Sequence, residues 1–300
     1  MNIQHQITRR STLAALGLAL TPAFRGIAWA QEAPGEKPLD LPLKIKTICG
    51  HCGVSVPDVT KSALFYSKLF GGANVTGEKQ PFLRYMINLG GSVELGGGGG
   101  VAIGKLGTLG GAGQTKPLID HFCFNAEPFD DAAWRARLKA EGLVYHAQGV
   151  FSSLDDIAVQ ISGAQGGESL AAGKIEHMDS LYTGEPLVRP GGFEHIMLHV
   201  SNLDQSVAFY EKMFGLQESE RRSSIVYFTD GQTRLAMKQV AGGEKPNINH
   251  YAVKVPTLDH SKVTSGLPAL GATLLPASEE SKNAIRFADP DGLIVELWPK

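Results

Sequence analysis

Ser206-Val-Ala-Phe-Tyr-Glu-Lys-Met-Phe-Gly215 is the stretch on which the fold turns, because the chain carries it twice. Ser62-Ala-Leu-Phe-Tyr-Ser-Lys-Leu-Phe-Gly71 lies 144 residues earlier and is identical at six of the ten positions. In both copies apolar residues recur at i, i+3, i+4 and i+7 and a Gly ends the run, the pattern of an amphipathic helix with a defined stop. At the same offset upstream, His51-Cys-Gly-Val-Ser-Val56 faces His195-Ile-Met-Leu-His-Val200. Each reads as a strand followed by a short turn, Pro57-Asp58 or Ser201-Asn202. The chain duplicates itself.

A finer repeat lies inside each copy. Asp120-His-Phe-Cys-Phe124 opens a strand before an amphipathic helix around residues 130–141. Asn249-His-Tyr-Ala-Val253 does the same before a weaker helix ending near Gly271. The halves close on expected strands over Phe151–Ile161 and Phe287–Trp298. A strand–helix–strands unit cannot cover its own apolar sheet face, so the four units should pair into curved sheets. The fold class expected is α+β: two tandem domains, each of paired βαβββ units forming a cupped mixed sheet. Domain limits fall at 43–163 and 191–300, with a Gly-, Ser- and Ala-rich linker over 164–190.

The first thirty residues stand apart from the fold. Arg9-Arg10, the apolar run Leu13–Leu20 and Ala28-Trp29-Ala30 have the layout of a cleaved export signal of twin-arginine type. This predicts a periplasmic protein beginning near Gln31. A net charge of −2 at 43% hydrophobic and 19% charged residues gives no basic field for a phosphate backbone, so nucleic acid is not an expected partner. No apolar run is long enough for stable membrane insertion.

His195-Ile-Met-Leu-His-Val-Ser-Asn-Leu-Asp-Gln-Ser-Val-Ala-Phe-Tyr210 resembles the opening strand and helix of the vicinal-oxygen-chelate superfamily. Phe287-Ala-Asp-Pro-Asp-Gly-Leu-Ile-Val-Glu-Leu-Trp298 resembles its closing strand. That group includes glyoxalases, extradiol dioxygenases and bleomycin-resistance proteins. The resemblance implies a metal site at His195, His250 and Glu296, two imidazoles and a carboxylate that leave coordination positions open. The implied cofactor is one divalent ion, with Fe(II) or Mn(II) suiting the ligands best and Zn(II) or Ni(II) also compatible. Glu296 is the expected catalytic residue, alone or with a metal-bound water. The equivalent first-half positions are His51, His121 and Gln160, a weaker set because the amide brings no charge. The implied function is a metal-dependent enzyme acting on a small molecule with adjacent oxygens, dioxygenase-like or lyase/isomerase-like. The competing reading is an exported binding protein of bleomycin-resistance type, stacking its ligand on Tyr251, Phe193 or Trp298. Monomer and homodimer both remain open.

The chain departs from the dioxygenase pattern. Phe287 stands where that family places a catalytic Tyr, and Ser281 lies near an expected His. His199 shares a strand face with His195. His146 precedes the first half's closing strand, where some ring-cleaving enzymes carry an acid–base His. Cys49-Gly50-His51-Cys52 matches a redox motif but precedes strand residues rather than a helix, which leaves a Cys49–Cys52 disulfide as the open question. The run 96–113 reads as a long glycine-rich loop.

Overall fold

The computed structural model describes residues 37–71, 73–77, 84–90, 99–106, 114–147, 149–163, 178–179, 181–222, 224–277 and 282–299. The expected export signal, Ser281 and most of the expected linker lie outside these residues.

The first half contributes strands β1 (Ile45–Val56), β2 (Ala73–Gly77), β3 (Arg84–Asn88), β4 (Gly100–Lys105), β5 (Leu118–Ala126), β6 (Tyr145–Ala147), β7 (Val150–Ser152), β8 (Ala158–Gly163) and β9 (Met178–Asp179). Its helices are α1 (Val59–Phe70) and α2 (Asp131–Ala140). The second half contributes β10 (Phe193–Val200), β11 (Glu218–Arg222), β12 (Ile225–Thr229), β13 (Arg234–Gln239), β14 (Asn247–Val255), β15 (Thr273–Leu275), β16 (Ile285–Ala288) and β17 (Ile294–Pro299). Its helices are α3 (Leu203–Phe214) and α4 (His260–Ala269).

Two mixed sheets result, in the orders β6-β7-β8-β5-β1-β4-β3-β2-β9 and β11-β12-β13-β10-β14-β17-β16-β15. Each is two βαβββ units joined along their opening strands. β1 pairs antiparallel with β5, as β10 does with β14. Within each unit the opening strand runs parallel to the closing one: β1 with β4, β5 with β8, β10 with β13, β14 with β17. The chain has the paired βαβββ architecture read from its repeats.

Two local expectations need correction. The closing strands of the second and fourth units are hairpins, β7–β8 and β16–β17, with turns over Ser153–Ile157 and Asp289–Leu293. The glycine-rich run contains a buried strand, β4, between β1 and β3. Glycine is needed there for close approach: a Cβ on Gly100 would lie 2.6 Å from Met86 Sδ and 3.0 Å from the Ile87 carbonyl oxygen.

Each helix starts on an Asp or Asn whose side chain accepts an otherwise unpaired backbone N–H: Asp58 from Lys61, Asp130 from Ala133, Asn202 from Gln205 and Asp259 from Lys262. Each such cap stabilises its helix by about 0.5–2 kcal/mol. The apolar faces of α1 and α3 explain the duplicated motif. Phe65 of α1 packs on Phe287 of β16 at 6.4 Å, and Tyr66 donates to Asp289 Oδ2 at 2.6 Å. Reciprocally, Phe214 of α3 meets Phe124 at 4.7 Å and Phe151 at 6.3 Å, and Tyr210 reaches Ser153 Oγ at 3.5 Å. Each half's first helix therefore seals the other half's closing hairpin, and one apolar core runs through both sheets. The opposite, inner faces of the sheets are left for polar side chains.

Candidate metal centre

On β10 the side chains of His195, Met197 and His199 share the inner face by strand alternation. The parallel register sets Arg234, Ala236 and Lys238 of β13 beside them. His250 comes from β14 and Glu296 from β17, and Ala252 is the register partner of both His195 and Glu296. The sheet thus brings His195, His250 and Glu296 together, with one ligand atom from each lying within 4.8 Å of the others. All three are buried, at 0, 2 and 0% exposure, in positions where an apolar residue would cost nothing.

Their hydrogen bonds decide what the cluster needs. His195 Nδ1 bonds Glu194 Oε2, and Arg234 holds that carboxylate from its other oxygen at 2.5 Å. His250 Nδ1 bonds Asn249 Oδ1 at 2.9 Å. Both partners are acceptors, so both imidazoles carry their proton on Nδ1 and point bare Nε2 lone pairs at each other across 3.0 Å. Trp298 Nε1 donates to Glu296 Oε2 at 2.8 Å, which leaves Oε1 buried without a hydrogen bond, 3.8 Å from His250 Nε2. Two lone pairs and a carboxylate oxygen converge, and no hydrogen bond from the chain reaches that oxygen, although Arg286 Nε lies 3.4 Å from it. Leaving one such buried group unsatisfied costs about 1–3 kcal/mol, and more for a charged one. A cation satisfies all three, so the donor set fits a divalent ion.

Electrostatics favour the ligand-ready form. Burial, reinforced by His195, Arg286 and His199, holds His250 well below the ordinary imidazole range. Burial alone would raise Glu194, but the hydrogen bond to His195 and the charge of Arg234 outweigh it and keep the carboxylate ionised. Arg234 is itself stacked 4.6 Å from the Tyr227 ring centre and 5.4 Å from that of Trp298.

The first half brings its three sequence-derived positions together too. His51 and His121 approach Nε2 to Nε2 at 3.1 Å, and the Gln160 side chain hydrogen-bonds His51. His121 Nδ1 bonds Asp120 Oδ1, and Ser55 donates to the other Asp120 oxygen at 2.6 Å. Burial would raise Asp120, yet His121 and Ser55 together hold it low. Burial and the neighbouring His121 push His51 down to about 3. This pair has room only because residue 53 is glycine: a Cβ there would lie 2.2 Å from His121 Cε1 and 2.5 Å from Asp120 Oδ1.

Several residues stand differently from the sequence reading. Phe287 does not face the cluster; it pairs with Val295 and packs against Phe65. The residue opposite Glu296 is Arg286, with Nε 3.4 Å from Glu296 Oε1. Alternation counted back from Glu296 through the tight Asp289–Leu293 turn would have found it. Tyr251 and Phe193 are core residues stacked on each other at 6.0 Å, while Trp298 alone of the three aromatics touches the cluster. His146 bonds Ser152 at 2.9 Å in the β6–β7 hairpin, and burial lowers its basicity. Cys49, Cys52 and Cys123 are buried free thiols, so the Cys-Gly-His-Cys run is a piece of strand β1 without a disulfide.

Known proteins share both sequence and fold with this chain. Residues 192–297 match the model of the Glyoxalase/Bleomycin resistance protein/Dioxygenase superfamily. A metallothiol transferase FosB of Lysinibacillus sphaericus is 30% identical over 105 residues, 33% of this chain and 74% of that protein. The chain belongs to the glyoxalase/bleomycin resistance protein/dioxygenase superfamily. A glutathione transferase FosA of Serratia marcescens is another superfamily relative, 28% identical over 108 residues, covering 34% of this chain and 77% of that one. The two-sheet arrangement also matches solved structures along most of the chain. The Mn(II)-bound glyoxalase from Novosphingobium aromaticivorans superposes with TM-score 0.59 at 18% identity, covering 85% of this chain and 82% of that one. A homoprotocatechuate 2,3-dioxygenase variant from Brevibacterium fuscum gives TM-score 0.59 at 14% identity, over 88% and 74%. At those identities the likeness carries the fold alone.

Proposed function

We propose that this protein is a metal-dependent enzyme whose C-terminal site binds one divalent ion through His195, His250 and Glu296 and acts on a small molecule with two adjacent oxygens. One observation carries the reading: two Nε2 lone pairs and a carboxylate oxygen that accepts no hydrogen bond converge in a buried site. The printed names of the relatives, among them metallothiol transferases and a Mn(II)-bound glyoxalase, agree with a divalent metal. Fe(II) and Mn(II) suit the ligand set best. When bound, such an ion supplies Lewis acidity toward the substrate oxygens.

The remaining work falls to the chain. Glu194 and Asn249 fix the imidazole tautomers, and Trp298 holds one Glu296 oxygen so that the other faces the site. Glu296 Oε1 is the group placed to take a proton from a bound substrate. Met197, Ile225, Tyr227 and Ala236 form a small buried apolar cluster on the strands that carry His195 and Arg234 and on β12. The reaction is either dioxygenase-like or of lyase/isomerase type. Catechols under oxygen and thiol adducts of 2-oxoaldehydes, assayed side by side, separate the two. The stacking that a bleomycin-type binder would need is not available from Tyr251 or Phe193, which are core.

Metal analysis of protein purified without chelator, beside His250→Ala, tests the proposal. About one ion per chain, lost in the variant, is expected. No ion after reloading with Fe(II), Mn(II) and Zn(II) would overturn it. Residues 1–30 are proposed as a twin-arginine export signal; a mature N-terminus near Gln31 in periplasmic extracts would support this, and an intact Met1 would refute it.

A further inference from the structure

Arg286 is unexpected where it stands. A two-imidazole, one-carboxylate site holding a divalent ion carries a net charge of +1, which a singly charged ligand neutralises. Here the carboxylate is already matched, because Arg286 Nε lies 3.4 Å from Glu296 Oε1 and pairs with it directly across the β16–β17 ladder. The second carboxylate near the site, Glu194, is matched by Arg234 at 2.5 Å. Glu220 and Arg222 pair with each other further out. With imidazoles neutral, as coordination requires, the charge around a divalent ion is therefore +2. An uncompensated charge of that size in a dry site is strongly unfavourable, so the ligand must supply the difference.

Arg286 is also built to meet such a ligand. Its Nε is buried without a hydrogen bond, while a quarter of the side chain remains accessible. Its planar fork of N–H donors matches two oxygens of an oxyanion.

We propose that the C-terminal site selects ligands whose oxygens together carry two negative charges, and that Arg286 sets this preference. The inference rests on the metal reading above and narrows its substrate class to dianionic oxygen chelators. Three probes share oxygens on adjacent carbons and differ in charge: oxalate is a dianion, glycolate a monoanion, hydroxyacetone neutral. Their affinities are measured calorimetrically on the full-length Mn(II)-loaded protein, with the Mn(II) resonance spectrum reporting a ternary complex rather than metal stripped by oxalate. Oxalate should bind at least roughly tenfold more tightly than glycolate, and hydroxyacetone more weakly still. Arg286→Gln should collapse the oxalate preference while keeping glycolate affinity within a few-fold and binding Mn(II) severalfold more tightly. Arg286→Lys should retain most of the preference, separating lost charge from misfolding. Equal affinities for oxalate and glycolate in the native protein, or a loss in Arg286→Gln that is the same for both, would overturn the inference with the metal site intact. A native protein that retains no Mn(II) would instead overturn the metal reading, and this inference with it.

Discussion

The two halves hold nearly superimposable histidine pairs that make opposite demands. The Nε2–Nε2 separation is 3.1 Å between His51 and His121 and 3.0 Å between His195 and His250. In the first half only His121 has its Nδ1 locked by a carboxylate, Asp120. Gly50 stands where Glu194 stands in the second half, so His51 has no such acidic neighbour. Its contact is the Gln160 amide, which both donates and accepts. His51 is free to carry its proton on Nε2 and close the short contact as an ordinary hydrogen bond. In the second half both Nδ1 atoms are committed to acceptors and the third member is a carboxylate, so neutral imidazoles have no proton to offer the trio. An acid beside the first histidine rather than the second, and Glu in place of Gln, give the second half the donor set on which its proposed metal binding rests.

Acid should separate the pairs most strongly. His51 stays neutral in the folded protein down to about pH 3, whereas an unfolded histidine titrates near 6.5. Between those values the unfolded state binds more protons, so stability falls as pH falls, by about 1.4 kcal/mol per unit for each such group. In chelator-treated protein His250 contributes with the same sign. Denaturant unfolding from pH 7 to 3.5 should show a loss on the order of 4 kcal/mol from His51 alone. Added Mn(II) should suppress the part due to His250 only. A curve unaffected by His51→Asn would remove the distinction.

Glu296→Gln gives the second half the first half's third residue. Metal affinity should drop at least about a hundredfold, while stability in chelator holds or rises because a buried charge is gone. Unchanged metal content would mean that the carboxylate is not what distinguishes the sites. Gly53→Ala attacks the first pair, since its Cβ must displace His121 and Asp120. A cost of about 1–3 kcal/mol is expected, with metal binding by the second half untouched. Trp298→Phe removes the donor to Glu296 Oε2 but keeps much of the ring. It should weaken Mn(II) binding by roughly tenfold and leave stability nearly unchanged, as isothermal titration and thermal unfolding would show.

Much of this was legible in the sequence, for physical reasons. The duplicated helix is readable because its apolar face has one job, sealing the other half's hairpin. His195, His250 and Glu296 fall at positions a superfamily resemblance fixes. Glu194, Asp120 and Asn249 were not readable as partners. Alternation sends neighbouring strand residues to opposite faces, yet these side chains reach back to the adjacent imidazole. Arg286 was missed by a single position, because the register of β16 on β17 depends on how tightly the Asp289–Leu293 turn closes. Strand β4 was hidden by its glycines, which serve close packing there and not looseness.

The crossed packing of α1 and α3 has a consequence in time. Tyr66 and its partner Asp289 are separated by 223 positions, so α1 cannot find its seat until nearly the whole chain has been synthesised. Contacts of such sequence separation slow folding and leave apolar faces uncovered meanwhile. During synthesis the first half must wait, with Phe65, Tyr66 and Phe70 unprotected, for a hairpin whose Asp289 follows Tyr66 by 223 positions. Truncations within the final strand should therefore disturb the beginning of the molecule as much as its end.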